Sequence, residues 1–285
     1  MSLNKDTEIL IVGLGLMGGS YAEALTQSGY TVGAVDKSPS TVEYALRHGL
    51  ISSGRHDIDP DYIGRFDIIV FALYPTVFTK WLVDNQKYIK KGALLTDVTG
   101  VKCSVVYTVQ NILRDDLEFI GAHPMAGREV SGVENAKAEM FKGANYIVTP
   151  TEKNTPEAIE TCMALGHIIG CEKFSTLSPE EHDEMIGFLS QLTHCIAVAL
   201  MISMEPGNLN YYTGDSFRDL TRIARLNDEM WSELFMLNQD ELLDQMDIFI
   251  NKFEMLRDYI ARGDRENLRK MMRLSTERRA RFEKR

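Results

Sequence analysis

The sequence predicts an α/β protein in which a doubly wound, mainly parallel sheet precedes an all-helical half. Over the first half, unbroken apolar runs such as residues 9–12 alternate with helical segments, as expected of parallel strands that are covered on both faces. The strand signal stops near residue 174, and apolar residues recur at helical spacing from Ser178 onward. We therefore expect two domains, at residues 1–176 and 177–285.

Size and charge exclude several classes of function. The chain has 285 residues, of which 44% are hydrophobic and 25% charged, which suits two ordinary globular domains. Its formal net charge of -10 argues against a general affinity for nucleic acid or for anionic membrane surfaces. The four cysteines lack CxxC spacing, no signal peptide is visible, and no uninterrupted apolar stretch reaches about 18 residues. We expect a cytoplasmic protein with reduced thiols and a small-molecule ligand.

A glycine-rich turn follows the first predicted strand. Residues 13–18 read GLGLMG, a GxGxxG pattern, and a helical segment and a second strand ending at Asp36 follow. In such a unit the glycines allow a tight turn, the approach of a pyrophosphate, and close packing of helix on strand. The Asp36 carboxylate would bond the ribose hydroxyls and favour NAD over NADP. We expect a Rossmann-type NAD-binding domain over residues 1–176, with cofactor contacts from Gly13, Leu14, Gly15, Leu16, Met17, Gly18, Asp36 and Asp97.

Strands and helices continue to alternate after this unit. The patterns predict helices at 42–48, 81–89, 104–113 and 156–166, and strands at 67–73, 93–97, 117–121, 141–149 and 171–174. Ligands of doubly wound sheets bind beyond the carboxyl ends of the strands. Asp36, Tyr74, Asp97 and His123 each follow or close a predicted strand, so we expect them to face one crevice.

His123 is the candidate for chemistry at that crevice. Pro124 restricts it to extended conformations, and a polar segment, residues 127–132, follows. That segment is either a loop that faces a ligand or an ordinary surface turn.

The helical half begins with a clear start signal. Ser178 and Glu181 have the spacing of a capping box, and we expect a long helix from there to about residue 204, with a break at Pro206. Gln191 and His194 are three residues apart and share a face of this helix. The later helical segments, 228–237 and 240–262, carry more apolar positions than the remaining chain can cover, and dimerisation would bury them.

Three arginines recur at helical spacing further on. Arg218, Arg222 and Arg225 lie in a predicted helix, residues 217–225, and would line one stripe. This stripe is either a solvated basic face or a clamp for carboxylates, which the planar fork of arginine suits.

We expect no metal site. His182 lies about 18 Å from His194 along a continuous helix, too far to share an ion. No HExxH pattern and no Cys/His cluster occurs in the sequence.

Several segments together resemble the prephenate/arogenate dehydrogenases of tyrosine biosynthesis. They are GLGLMGGS (13–20), TDVTGVK (96–102), GAHPMAGREVSG (121–132), HDEMIGFLSQLTHCIA (182–197) and FRDLTRIA (217–224), together with Asp36. The resemblance spans nearly the whole chain. It implies oxidative decarboxylation of prephenate to 4-hydroxyphenylpyruvate by NAD, on a Rossmann domain joined to a helical domain that forms a homodimer.

The resemblance also implies roles for single residues. His123 would accept the hydrogen bond of the 4-hydroxyl and act as base, Arg222 would hold a substrate carboxylate, and His194 would contact the substrate side chain. The family's gating acids correspond to Glu129 and Asp219. The remaining candidates near the substrate are Gln191, Arg218, Arg225 and the pocket-closing Trp231.

One position departs from the family pattern. Many members carry a serine where this chain has Gly100, with its hydroxyl near the reacting group, and Thr99 is the candidate to replace it. Three alternative functions stay open: arogenate dehydrogenase, another Rossmann β-hydroxyacid dehydrogenase, and an NAD-binding sensor without activity. The β-hydroxyacid enzymes normally rely on a lysine in the helical half, and none stands out here.

Overall fold

The computed structural model describes residues 3–205 and 207–282. The predicted break at Pro206 and the last three residues of the chain lie outside this range. The strands are β1 (Glu8–Val12), β2 (Thr31–Val35), β3 (Ser53–Arg55), β4 (Ile68–Phe71), β5 (Leu94–Asp97), β6 (Glu118–Met125), β7 (Asn145–Thr149) and β8 (Lys173–Thr176).

These strands form one sheet in the order β3-β2-β1-β4-β5-β6-β7-β8. Neighbours run parallel except β6 and β7, which are antiparallel. The helices that connect the strands are α1 (Leu16–Gln27), α2 (Pro39–Arg47), α3 (Pro60–Ile63), α4 (Pro75–Asn85), α5 (Cys103–Ile112) and α6 (Pro156–Ile168). The predicted doubly wound, mainly parallel sheet is confirmed.

Strand β1 explains why the sheet is covered on both faces. Ile9 and Ile11 pack into one hydrophobic cluster, whereas Leu10 and Val12 pack into another on the opposite face. All four side chains are almost completely buried, and each such burial stabilises the fold by about 1.5–3 kcal/mol. An unbroken apolar run is therefore what a central parallel strand requires.

Several elements differ from the sequence prediction, and they include helix α3, which was not predicted, and strand β7, which begins at Asn145 and not at residue 141. Helix α4 starts at Pro75, not at residue 81, because proline is favoured in the first helical turn, where its missing N–H is not needed. The short strand β3 was missed, since its three residues carry little apolar signal. Strand β6 continues through His123 to Met125, where a loop was predicted, because β7 pairs with it as an antiparallel neighbour.

The helical half follows β8. Its helices are α7 (Pro179–Ile186), α8 (Leu192–Ile202), α9 (Asp215–Thr221), α10 (Asp228–Leu237), α11 (Gln239–Ala261) and α12 (Arg265–Arg279). The predicted capping box at Ser178 and Glu181 starts α7. A π-helical segment, Gly187–Gln191, joins α7 to α8, so the predicted long helix is continuous but not regular.

Candidate active site

The glycine-rich turn lies at the carboxyl end of β1. Gly13 has a φ of 95°, and its N–H donates to the Val35 carbonyl over 2.8 Å. A side chain at Gly13 would meet the Ala72 carbonyl at 2.5 Å, whereas a Cβ at Gly15 would have no neighbour within 4 Å. The turn is thus tightly packed against Ala72 at Gly13, whereas the space next to Gly15 is open. This is the arrangement that lets a pyrophosphate approach the backbone.

Asp36 closes this turn at the end of β2. Its carboxylate accepts from the Leu14 N–H over 2.7 Å and from the Ser38 N–H over 2.9 Å. A Cβ at Gly18 would collide with the Gly13 carbonyl, so the start of α1 lies directly against the turn. The predicted cofactor residues 13–18 and Asp36 therefore lie together, as the GxGxxG spacing indicated.

A second cluster lies at the end of β5. The Asp97 carboxylate accepts from Lys102 Nζ over 2.7 Å, from the Ala122 N–H over 3.1 Å, and from the backbone N–H and hydroxyl of Thr99. Asp97 and Lys102 are fully buried and Thr99 is 5% exposed. The buried carboxylate fixes the loop after β5 to strand β6 from within. Its burial does not support the predicted contact between Asp97 and the cofactor.

His123 lies at the same edge of the sheet. Strand β6 runs parallel to β5 only up to the pair Thr96 and Ile120, so His123 lies beyond the carboxyl end of β5. A Cβ at Gly100 would lie 3.9 Å from His123 Cε1. The position of the family serine therefore faces the imidazole. The Thr99 hydroxyl is instead engaged with Asp97 and the Val101 carbonyl, so this geometry does not support Thr99 as its replacement.

His182, which no sequence pattern indicated as a site residue, contacts His123, and Asp183 contacts His182 in turn. His123 Nδ1 lies 2.9 Å from His182 Nε2, and His182 Nδ1 lies 2.7 Å from Asp183 Oδ1. The Asp183 carboxylate also accepts from the N–H groups of Lys102 and Cys103, over 2.7 and 2.8 Å. His182 and Asp183 are 0% and 1% exposed. No spacing rule joins residues 123 and 182, although both lie in segments that carry the family resemblance.

Burial keeps the imidazoles at this site neutral. It lowers the pKa of His123 well below its ordinary value, and the neighbouring His182 and Lys102 lower it further. Burial likewise lowers the pKa of His182, against the opposing effect of its hydrogen bond to Asp183. The pKa of His194 is also lowered by burial. A neutral imidazole can accept a proton, as a general base must.

Polar contacts hold the π-helical segment in place. The Gln191 amide donates to the Leu234 carbonyl over 3.0 Å, and Asn238 donates to Gln191 Oε1 over 2.8 Å. Asn238 also donates to the Asp183 carbonyl over 3.0 Å. Gln191 is 1% exposed, so its burial does not support the predicted contact with substrate. π-Helical segments often occur at functional sites, and this one lies between His182 and His194.

His194 lies against an aromatic wall. Its ring centroid is 3.8 Å from that of Trp231, and its Nδ1–H donates to the Ser190 carbonyl over 2.8 Å. In the neutral ring Nε2 is then an acceptor. Tyr74 lies on the other side of the boundary between the halves and accepts from the Asn227 amide over 3.1 Å.

The three-arginine stripe predicted at 217–225 is wrong. Helix α9 ends at Thr221, a single 3₁₀ turn follows, and Arg225 is extended. Arg218 pairs with Asp215 over 2.6 Å, whereas Arg222 reaches across to pair with Glu129. The Arg222 and Glu129 side chains are 64% and 42% exposed. Asp219 is exposed on α9.

Both halves of the chain are similar to known protein families. A profile for the prephenate dehydrogenase nucleotide-binding domain matches residues 21–171. A profile for the prephenate dehydrogenase dimerization domain matches residues 178–274. The chain belongs to the prephenate dehydrogenase family. The predicted family and the predicted class of enzyme, an oxidoreductase, are confirmed.

Individual relatives agree with this assignment to the prephenate dehydrogenase family. Prephenate dehydrogenase of Bacillus subtilis is 33% identical over 279 residues, which cover 94% of this chain and 74% of that protein. Cyclohexadienyl dehydrogenase of Zymomonas mobilis is 30% identical, over 91% of this chain and 90% of that protein. A crystal structure of prephenate dehydrogenase from A. aeolicus, in complex with hydroxyphenyl propionate and NAD+, superposes with a TM-score of 0.89 at 29% identity. That superposition covers 99% of this chain and 100% of the other.

Proposed function

We propose that this chain catalyses the NAD-dependent oxidative decarboxylation of prephenate to 4-hydroxyphenylpyruvate. The observation that carries the proposal is the partly buried imidazole of His123 at the carboxyl edge of a nucleotide-binding sheet, where burial lowers its pKa. Two similar proteins are named prephenate dehydrogenase and cyclohexadienyl dehydrogenase, which supports the proposal.

The residues present fit NAD. The open space in front of Gly15 and the close packing behind Gly13 and Gly18 suit a pyrophosphate. The Asp36 carboxylate, which accepts from the Leu14 N–H at this turn, would bond the ribose hydroxyls. Bound NAD would supply the acceptor for the hydride that leaves the prephenate ring carbon bearing the 4-hydroxyl. The protein supplies the proton acceptor and the groups that orient the substrate.

His123 moves one proton at the substrate oxygen. As the hydride leaves, the neutral imidazole takes the proton of the 4-hydroxyl, so that the ring carbon becomes a carbonyl. Loss of the ring carboxylate as CO₂ then leaves its electron pair in the ring, which becomes aromatic as a phenolate. The proton returns from His123 to that oxygen, and the imidazole is neutral again.

Arg222 and His194 hold the remainder of the substrate. The guanidinium of Arg222 pairs at present with the exposed Glu129, and an exposed pair of this kind is worth only about 0–1 kcal/mol. A substrate carboxylate can therefore replace Glu129. His194 offers Nε2 beside Trp231 for the side-chain end of the substrate.

A turnover assay tests the proposal. The purified protein is mixed with NAD and either prephenate or arogenate, and absorbance of the reduced cofactor is followed. We expect turnover with prephenate at a higher kcat/KM than with arogenate. A higher value with arogenate would reassign the substrate, and no turnover with either at micromolar enzyme would refute the proposal.

The choice of NAD over NADP is expected to depend on Asp36. Replacing Asp36 with serine removes a charge that repels a 2′-phosphate and a charge-assisted hydrogen bond, which is worth about 1.5–3 kcal/mol. We expect KM for NAD to rise by roughly 10- to 100-fold and KM for NADP to fall. The exposed Asp57, changed to serine, is the control. If both variants keep the wild-type preference, Asp36 does not select the cofactor.

We also propose a homodimer formed through residues 177–285, in the cytoplasm. Support comes from the dimerization-domain match and from the exposed apolar side chains of this half, which include Phe188, Ile202, Met204, Ile248, Phe253 and Ile260. Among the described residues one helical segment, Pro179–Ile202, passes a length and composition test for crossing a membrane, because an 18-residue stretch within it has a mean hydropathy of 1.8. It carries the buried polar residues His182, Asp183 and Gln191, and a dimer interface explains its apolar surface.

A further inference from the structure

Two consecutive hydrogen bonds connect the imidazole of His123, through the imidazole of His182, to the carboxylate of Asp183. The chain of contacts runs from His123 Nδ1 to His182 Nε2, over 2.9 Å, and from His182 Nδ1 to Asp183 Oδ1, over 2.7 Å. His182 and Asp183 have almost no exposed surface, so water does not compete for these hydrogen bonds. Each contact therefore constrains which ring nitrogen carries a proton.

The constraint starts at Asp183. Its Oδ1 faces the N–H of Lys102 and its Oδ2 faces the N–H of Cys103, and backbone N–H groups can only donate. Both carboxylate oxygens are therefore acceptors. They also lie at the N-terminus of α5, where the helix dipole favours a negative charge. Asp183 consequently accepts from His182, and His182 Nδ1 carries the proton.

We propose that His182 and Asp183 are positioning residues that fix His123 in the tautomer with its proton on Nδ1. His182 is neutral and protonated on Nδ1, so its Nε2 is an acceptor, and His123 Nδ1 must donate to it. The lone pair of His123 is then on Nε2, the nitrogen that does not face His182. The inference rests on the proposed function, in which His123 is the base, and it names the groups that make this nitrogen basic.

The same arrangement supports the protonated state of His123. When Nε2 takes the substrate proton, the imidazolium still donates through Nδ1 to His182, and His182 still donates to Asp183. No proton has to move along the line. The negative charge of Asp183 stabilises the imidazolium through the intervening ring.

The hydrogen bonds from His123 through His182 to Asp183 also connect the two halves of the chain. Asp183 lies on α7, and its carboxylate caps α5. Asn238, between α10 and α11, donates to the backbone carbonyl of Asp183 over 3.0 Å. His182 reaches His123 only when α7 is docked on α5. The base therefore has its reactive tautomer only in the docked arrangement.

Nitrogen-15 NMR of histidine-labelled protein tests the tautomer directly. In the wild-type protein without ligands we expect His123 to be protonated on Nδ1 and not on Nε2, with its signals identified by their loss in His123→Asn. A His123 ring protonated on Nε2 would overturn the proposal. This measurement needs no turnover, so its outcome is independent of whether prephenate is the substrate.

Two substitutions of His182 separate positioning from packing. Glutamine places a carbonyl oxygen near the position of Nε2 and can still accept from His123 Nδ1, whereas leucine cannot. We expect His182→Leu to lower kcat by about 100-fold or more, with KM for prephenate and Kd for NAD nearly unchanged. We expect the kcat of His182→Gln to be at least tenfold higher than that of His182→Leu.

The exposed His56 supplies the matched controls, His56→Gln and His56→Leu, which should leave kcat unchanged. Equal kcat values for His182→Gln and His182→Leu, with both folded by Tm, would show that only packing is lost and would overturn the proposal. If the leucine variant does not fold, the nitrogen-15 NMR measurement of the His123 tautomer in the wild-type protein is the test of the proposal. Wild-type protein that turns over neither substrate refutes the proposed function and leaves the tautomer result standing.

Discussion

Replacing His123 with asparagine is expected to lower kcat for prephenate by about 100- to 10,000-fold, the usual contribution of a general base. Asparagine keeps a polar group of similar size in β6 but cannot take up a proton. The Kd of NAD should stay nearly unchanged, because the imidazole faces the loop at Gly100 and not the glycine-rich turn. Steady-state kinetics and NAD titration measure the two effects separately.

The exposed His56, changed to asparagine, is the control for this substitution. Loss of NAD binding in His123→Asn would contradict the role of His123 as a base for the substrate. A kcat within about threefold of the wild type would also contradict it, since general-base catalysis contributes at least about 100-fold.

The pH dependence of the wild-type enzyme follows from the same imidazole. Burial, the neighbouring His182 and Lys102 all lower the pKa of His123, while Asp97 and Asp183 are the acids in the surrounding network. A base with a lowered pKa stays neutral as the pH falls through the ordinary imidazole range, near 6.5. We expect kcat/KM to hold through that range and to fall only below it. A decline that begins above pH 6.5 would mean that another group controls the acid limb.

Replacing Arg222 with leucine is the second large effect that we expect. The variant loses charge-assisted hydrogen bonds to a substrate carboxylate, which are worth about 1.5–3 kcal/mol, so KM for prephenate should rise by roughly 10- to 100-fold. Its kcat should change little, because the carboxylate is held equally before and during the reaction. Initial-rate kinetics over a wide range of prephenate concentration measure both quantities.

Arg218 offers a matched control on the same segment. Its guanidinium pairs with Asp215, so Arg218→Leu should leave KM near the wild-type value. An increase in KM for Arg218→Leu but not for Arg222→Leu would assign the carboxylate to Arg218. Arg222→Lys should recover only part of the affinity, since lysine lacks the planar fork.

Much of the nucleotide-binding half could be predicted from the sequence because each signal there is local. The apolar run of β1, the GxGxxG turn and Asp36 lie within one short stretch, and the structure brings them together as expected. The edge strand β3 was missed because local apolar patterning is weak there. Strand β6 was ended too early because its continuation depends on pairing with β7, which no local pattern reveals.

The site was less predictable because its contacts join distant parts of the chain. The sequence indicated His123, His194 and Arg222 through resemblance, but His182 and Asp183 meet His123 only after α7 docks on α5. Helical spacing placed three arginines on one face, and the end of α9 at Thr221 separates them. The domain boundary at residues 176 and 177 and the roles of the site residues stay predictions.

The imidazoles of His123 and His182 also set an acid limit on the stability of the fold. His123 and His182 are held neutral, so their pKa values in the folded chain lie below those in the unfolded chain. Above about pH 6.5 both states are neutral, and the free energy of unfolding does not depend on these groups. As the pH falls below that value, the unfolded chain takes up protons that the folded chain refuses. Each such ring then lowers the free energy of unfolding by on the order of 1 kcal/mol per pH unit, until the lowered pKa is reached.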